Sequence, residues 1–129
     1  WWTNGERWPD TLPLARAWAR ERGYGQFTQV AESSDGIHFT MRPAITRTSY
    51  LRVFERGRVF YGVSRLGVLS RSPDPLTAFT LGPSLFRDGP YAGRVRHVAL
   101  LPRGDRLLVF FTAIGDAPER VLMARVDLA

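Results

Sequence analysis

The sequence predicts an all-β chain, and three observations carry that expectation. Two segments rich in β-branched, aromatic and aliphatic residues are each folded about an Arg-Gly turn. Shorter apolar segments stop at turns of Ser, Asp, Gly and Pro. Both kinds of segment recur along the chain.

The elements follow in order. Leu12, Ala15, Trp18, Ala19 and Arg22 come after Pro9-Asp10-Thr11 at spacings near three and four, and Gly23 follows. They read either as one short N-terminal amphipathic helix over 12–22 or as an irregular loop carrying apolar side chains. Val30–Phe39 reads as a strand ended by Ser33-Ser34-Asp35-Gly36, with an aromatic that pins the outgoing chain to the sheet. Leu51–Ser64 reads as a hairpin turning at Arg56-Gly57. Val68–Phe79 repeats the strand, turn and aromatic of Val30–Phe39. Val98–Thr112 repeats the hairpin with Asp105 taken as one inserted residue, starting 47 residues after the first (51 to 98). Val121–Val126 is a third copy of the short strand.

A hairpin, a loop and an outer strand with a polar turn, at a period of roughly 40 to 50 residues, match a four-stranded propeller blade. The expectation is therefore a single incomplete domain: a partial β-propeller of about two to three four-stranded antiparallel blades. Its parts are a lead-in at 1–23, a partial blade at 24–47 and blades at 48–93 and 94–129. A two-sheet sandwich has the same strand content but leaves the repeat unexplained.

Composition narrows function. The net charge is +6, yet all 18 cations are arginine, ten in residues 1–65 and eight in 66–129, with six acids in each part. Without a basic block, nucleic acid is disfavoured as a partner, whereas arginine suits carboxylates and ring stacking. Zero cysteines exclude disulfides, thiolate metal sites and thiol nucleophiles. The apolar runs are far below the roughly 18 residues that span a bilayer, and the opening Trp1-Trp2-Thr3-Asn4 does not read as a signal peptide, so the expectation is a soluble domain of unassigned location. His38 and His97 stand apart from any ligand spacing, and Gly23-Tyr24-Gly25 lacks the rest of a phosphate loop. No metal and no cofactor are expected.

The stretches Arg96–Phe111 and Ile114–Leu122, with the loop Gly115-Asp116-Ala117-Pro118-Glu119-Arg120, resemble the C-terminal blades of glycoside-hydrolase-like five-bladed β-propellers related to family 43. Ser33-Ser34-Asp35-Gly36-Ile37-His38-Phe39 is similar to an outer-strand turn of that clan. The resemblance covers residues 25–129. It implies a sugar-facing pocket on the propeller axis, with catalytic carboxylates at the axial ends of inner strands. Five blades of roughly 45 residues need about 225, so the chain is expected to be completed by a missing N-terminal segment or by self-association.

Glycoside hydrolysis needs two carboxylates about 5 to 9.5 Å apart. The expected inner-strand starts, Thr48–Arg52 and Arg94–Val98, contain none. Glu55 and Asp105 read as turn residues. Asp116 and Glu119 lie in a loop expected to join a third strand to a fourth, where they either present a carboxylate or serve turn capping and arginine pairing. No catalytic residue is assigned. Binding candidates are Arg96 and His97, adjacent and so expected on opposite strand faces, Tyr50 and Arg52, two apart and so on one face, and Asp116 and Glu119. The expected function is a carbohydrate-binding or glycoside-hydrolase-like propeller fragment that is not catalytic alone, with a carbohydrate or sugar acid as ligand. The alternatives are a glycosidase acting on a plant or microbial polysaccharide when further blades complete it, and an assembly module without a sugar ligand.

Overall fold

A computed structural model describes residues 2–3, 6–7 and 26–128 of the chain. The expected helix over 12–22 lies outside the described residues. Within the lead-in, β1 (Trp2–Thr3) pairs antiparallel with β2 (Glu6–Arg7).

Among the described residues the protein is all-β, its only helical segment being a three-residue 3-10 turn, Arg65–Gly67. One sheet pairs β3 (Thr28–Glu32) with β4 (Thr40–Thr46). The next is a four-stranded meander of β5 (Arg52–Arg56), β6 (Val59–Val63), β7 (Val68–Ser72) and β8 (Thr80–Ser84). The last is a three-stranded meander of β9 (Val95–Arg103), β10 (Arg106–Ala113) and β11 (Leu122–Asp127). All pairings are antiparallel, as short connections between consecutive strands require. Among the described residues no sheet closes on itself.

Both hairpins turn on two residues. Gly57 and Arg58 have φ of 57° and 63°, the I′ pattern, whereas at the second turn Gly104, with φ 56°, is the central residue in the left-handed region, as in II′. Both turns carry the right-handed strand twist without splaying the strands. Because Arg56 pairs with Val59 and Arg103 with Arg106, the hairpins superpose with a constant shift of 47 and no gap. The inserted residue at Asp105 is thereby corrected. The correction matters because a slip of one residue moves every later side chain to the opposite face.

The core lies between the last two sheets. Val98, Leu107, Val109 and Phe111 are buried on one face of the β9–β11 sheet, against Phe54 and Val63 of the β5–β8 sheet. Phe86 and Tyr91, from the connection between the sheets, set their rings 4.7 and 5.2 Å from that of Phe111. Along β10 burial alternates strictly, the signature of a strand with one covered face. The opposite face, with Leu101 and Met123, is open.

The two outer turns differ. Phe79 is 6% exposed and its N–H donates to Thr46 Oγ1, tying the β3–β4 sheet to the β5–β8 sheet. Phe39 is 62% exposed, so the expected aromatic pin is present in the second copy and absent in the first. The first turn holds itself together instead: Asp35 Oδ1 accepts from the N–H groups of Ile37 and His38 and from Ser33 Oγ, and Asp35 Oδ2 meets His38 Nδ1 at 2.6 Å. The His38 ring and these donors hold the Asp35 carboxyl well below the usual carboxylate range.

Candidate functional site

A cleft of about 770 Å³ opens where the strand beginnings β5, β7 and β9 meet the strand ends β6 and β10. The bend 47–50 before β5 supplies Arg47, Thr48, Ser49 and Tyr50 to it, and the turn between β6 and β7 supplies Arg65 and Leu66. Gln26 and Arg96 add polar groups to the wall, and Val68, Leu81 and Ile114 add apolar ones.

The bend and the turn are tied to each other. Thr48 Oγ1 donates to the buried Ser64 Oγ at 2.7 Å, Ser64 Oγ donates to Val68 O, and Arg65 N–H donates to Ser49 O at 3.0 Å. Two non-glycine wall residues, Tyr50 (φ 57°) and Leu66 (φ 64°), are held in the left-handed region. Each costs on the order of 1 kcal/mol, so the surrounding contacts must over-determine the wall, as they do at binding and catalytic sites.

The sequence candidates take varied places. Tyr50 and Arg96 line the cleft. His97 stands behind Tyr50, the two rings edge to face with centroids 4.8 Å apart. The expectation that adjacent Arg96 and His97 point to opposite faces is corrected by a bulge. Phe111 pairs with Val98 and Ala113 with Val95, so two residues oppose Thr112 and both side chains are exposed. Tyr50 and Arg52 do not share a strand face either, since β5 begins at Arg52 and Tyr50 belongs to the bend. Arg52 lies outside the wall and donates to Leu51 O.

Asp116 and Glu119 also lie outside the wall. Asp116, 13% exposed, is held by Arg120 at 3.2 Å and Arg94 at 3.9 Å rather than by local amides. Glu119 faces Arg96 at 3.7 Å. Their loop joins the second strand of its sheet to the third, not the third to the fourth as expected from the sequence. Glu55 sits within β5, facing solvent, and Asp105 meets Arg56 from the neighbouring hairpin turn at 2.8 Å.

Sequence reasoning missed Arg47, Arg65 and Gln26. The signal for Arg47 was its place just before the expected inner strand. Arg65 had no local signal, because only the stacking of β9 on the turn 65–67 makes that turn part of a wall. Among the described residues no cluster of three or more His, Asp or Glu could hold a metal ion. None of their helices is long and apolar enough to cross a membrane.

No family model matches the chain, and no solved structure matches it. It is similar to "Uncharacterized protein R118" of Acanthamoeba polyphaga mimivirus, 33% identical over 117 residues. The match covers 81% of this chain and 33% of the viral protein, so the chain spans about a third of the length of that curated relative.

Proposed function

We propose that this chain is a carbohydrate-binding part of a propeller-type protein related to the family 43 glycoside hydrolases, and that it binds its ligand without cleaving it. The observation that carries the reading is the composition of the cleft wall. It combines an exposed tyrosine ring, the hydroxyls of Thr48 and Ser49 and the amide of Gln26 and, among the described residues, no carboxylate. Rings and hydroxyl or amide groups match the apolar faces and hydroxyl edges of a sugar, while hydrolysis needs two carboxylates across the bond. The sheet stack supports the propeller part. The hairpins repeat without a gap and one sheet has the four antiparallel strands of a blade. A relative of which this match is only a third has room for further blades.

The test is a calorimetric titration of oligosaccharides into the chain, with product analysis of the same mixtures. Binding is expected to fall about tenfold or more in Tyr50→Ala, and no cleavage is expected. Cleavage by the chain alone, or no binding of any sugar, would refute the reading.

A second reading, self-association, is favoured by the open face of the β9–β11 sheet, where Met123 is 57% and Leu101 37% exposed. Burying such a face is favourable at roughly 25 cal/mol per Å². Sedimentation at low micromolar concentration is expected to detect association that Met123→Lys weakens. A monomer at all concentrations would remove this reading.

A further inference from the structure

We propose that the cleft selects a sugar bearing a carboxylate, as in a uronic acid, and that Arg65 and Arg96 are the residues that read it. The inference rests on the carbohydrate reading above and adds the charge class of the ligand.

The described cleft wall carries three arginines, Arg47, Arg65 and Arg96, and no acid. Elsewhere arginines meet their acids: Arg42 with Glu32, Arg56 with Asp105, Arg87 with Asp88, Arg106 with Asp127, and Arg94 and Arg120 with Asp116. The side chain of Arg65 makes no hydrogen bond or ion pair among the described residues. Arg96 has one loose partner, Glu119 at 3.7 Å, with both side chains about half exposed. A contact that long and that wet is worth little, and a ligand carboxylate can take its place. A guanidinium donates two parallel N–H bonds to a planar carboxylate, which a neutral hydroxyl cannot match.

The wall is also fixed in advance. The Thr48–Ser64 hydroxyl bond and the Arg65–Ser49 backbone bond lock the turn that carries Arg65 to the bend that carries Tyr50. Arg96, within the β9 bulge, lines the same cleft beside them. Ring, hydroxyls and cations therefore face one space, and the geometry accommodates a sugar ring with its acid group toward Arg65 and Arg96.

Titration of the chain with trigalacturonic acid and with neutral galactotriose tests the proposal, with sodium sulfate at matched ionic strength as the simple anion. The acidic trisaccharide is expected to bind about tenfold more tightly than the neutral one, since hydrogen bonds to charged groups are the stronger kind. Arg65→Gln and Arg96→Gln are each expected to remove most of that advantage, weakening the acidic trisaccharide far more than the neutral one. Both residues are exposed, and unchanged thermal melting of the variants would establish that they fold. Equal binding of acidic and neutral sugars overturns the charge class and leaves the carbohydrate reading standing. Sulfate binding as tight as the uronate, with the same dependence on Arg65, overturns the sugar-acid assignment in favour of a bare anion site. No binding of any of the three overturns both readings.

Discussion

The hairpins β5–β6 and β9–β10 share a two-residue turn and correspond at a constant shift of 47 residues, yet the face that carries Phe54 is covered in the first and its counterpart is open in the second. Phe54 is 8% exposed in the first hairpin, and its counterpart Leu101 is 37% exposed in the second. Gly62, packed under Leu51 and Ser70, corresponds to the fully buried Val109. Neighbours in a stack behave this way: the face that one sheet offers forward is covered by the rear face of the next. The comparison teaches that similar hairpins can carry apolar residues on both faces, and that the neighbour decides which of them becomes core.

The largest way to break the comparison is to empty the covered side. Phe111→Ala removes a ring that touches Phe86 and Tyr91 at the centre of the core. It is expected to cost about 3–5 kcal/mol of stability by denaturant unfolding. Met123→Ala on the open face is expected to stay within about 0.5 kcal/mol. Equal losses for the two variants would mean that the open face is covered after all.

Gly62→Ala sharpens the contrast between equivalent positions. A Cβ there would approach Leu51 Cδ1 to 2.5 Å and Ser70 Oγ to 2.8 Å, so packing has to shift. A loss of about 1–3 kcal/mol is expected, although Val109 carries a full side chain at the same place in the next hairpin. A neutral substitution would show that Leu51 moves aside freely.

A smaller effect joins the two turns directly. Arg56 donates to Gly104 O at 3.0 Å and to Asp105 at 2.8 Å, bridging the tips of the two hairpins. The pair is partly exposed, so Arg56→Ala is expected to cost about 0.2–1 kcal/mol, with the loss shrinking at high salt. A salt-independent loss would place its origin in packing of the arginine stem.

The smallest effect is local and depends on pH. The Asp35 carboxyl is held below its ordinary value of about 3.9, so it supports its turn at all pH values above that. The support is lost only as pH falls through the lowered folded value. Carboxyl chemical shifts recorded between neutral pH and strong acid are expected to show Asp35 still ionised where an ordinary aspartate is half protonated. Titration at or above the ordinary value would refute the turn geometry. The corresponding second turn is held in addition by the buried Phe79 ring.

Much of the strand plan was legible because its causes are local. The β-branched and aromatic runs, Gly57 and Gly104 at positive φ, and the Ser and Asp stops place strands and turns within a few residues. The cleft was legible only in part. Tyr50 and Arg96 could be named from their expected places near strand starts, but strand alternation misdirected both pairs. The β9 bulge and the bend before β5 break the period of two on which such reasoning depends. Asp116 and Glu119 resolve into arginine pairs because Arg120 lies in their own loop and Arg94 and Arg96 arrive from the turn before β9 and from β9 itself.

By itself the sequence determined the all-β class, the paired hairpins, their turns and the absence of carboxylates at the expected inner-strand starts, since each follows from short-range backbone preference or residue identity. Tertiary structure alone decided which hairpin face became core, that Phe79 is buried while Phe39 is exposed, and that Arg65 shares a wall with Tyr50 and Arg96. Those outcomes depend on which sheet packs against which. Residues far apart in the chain meet there through burial and register, which no local window of sequence encodes.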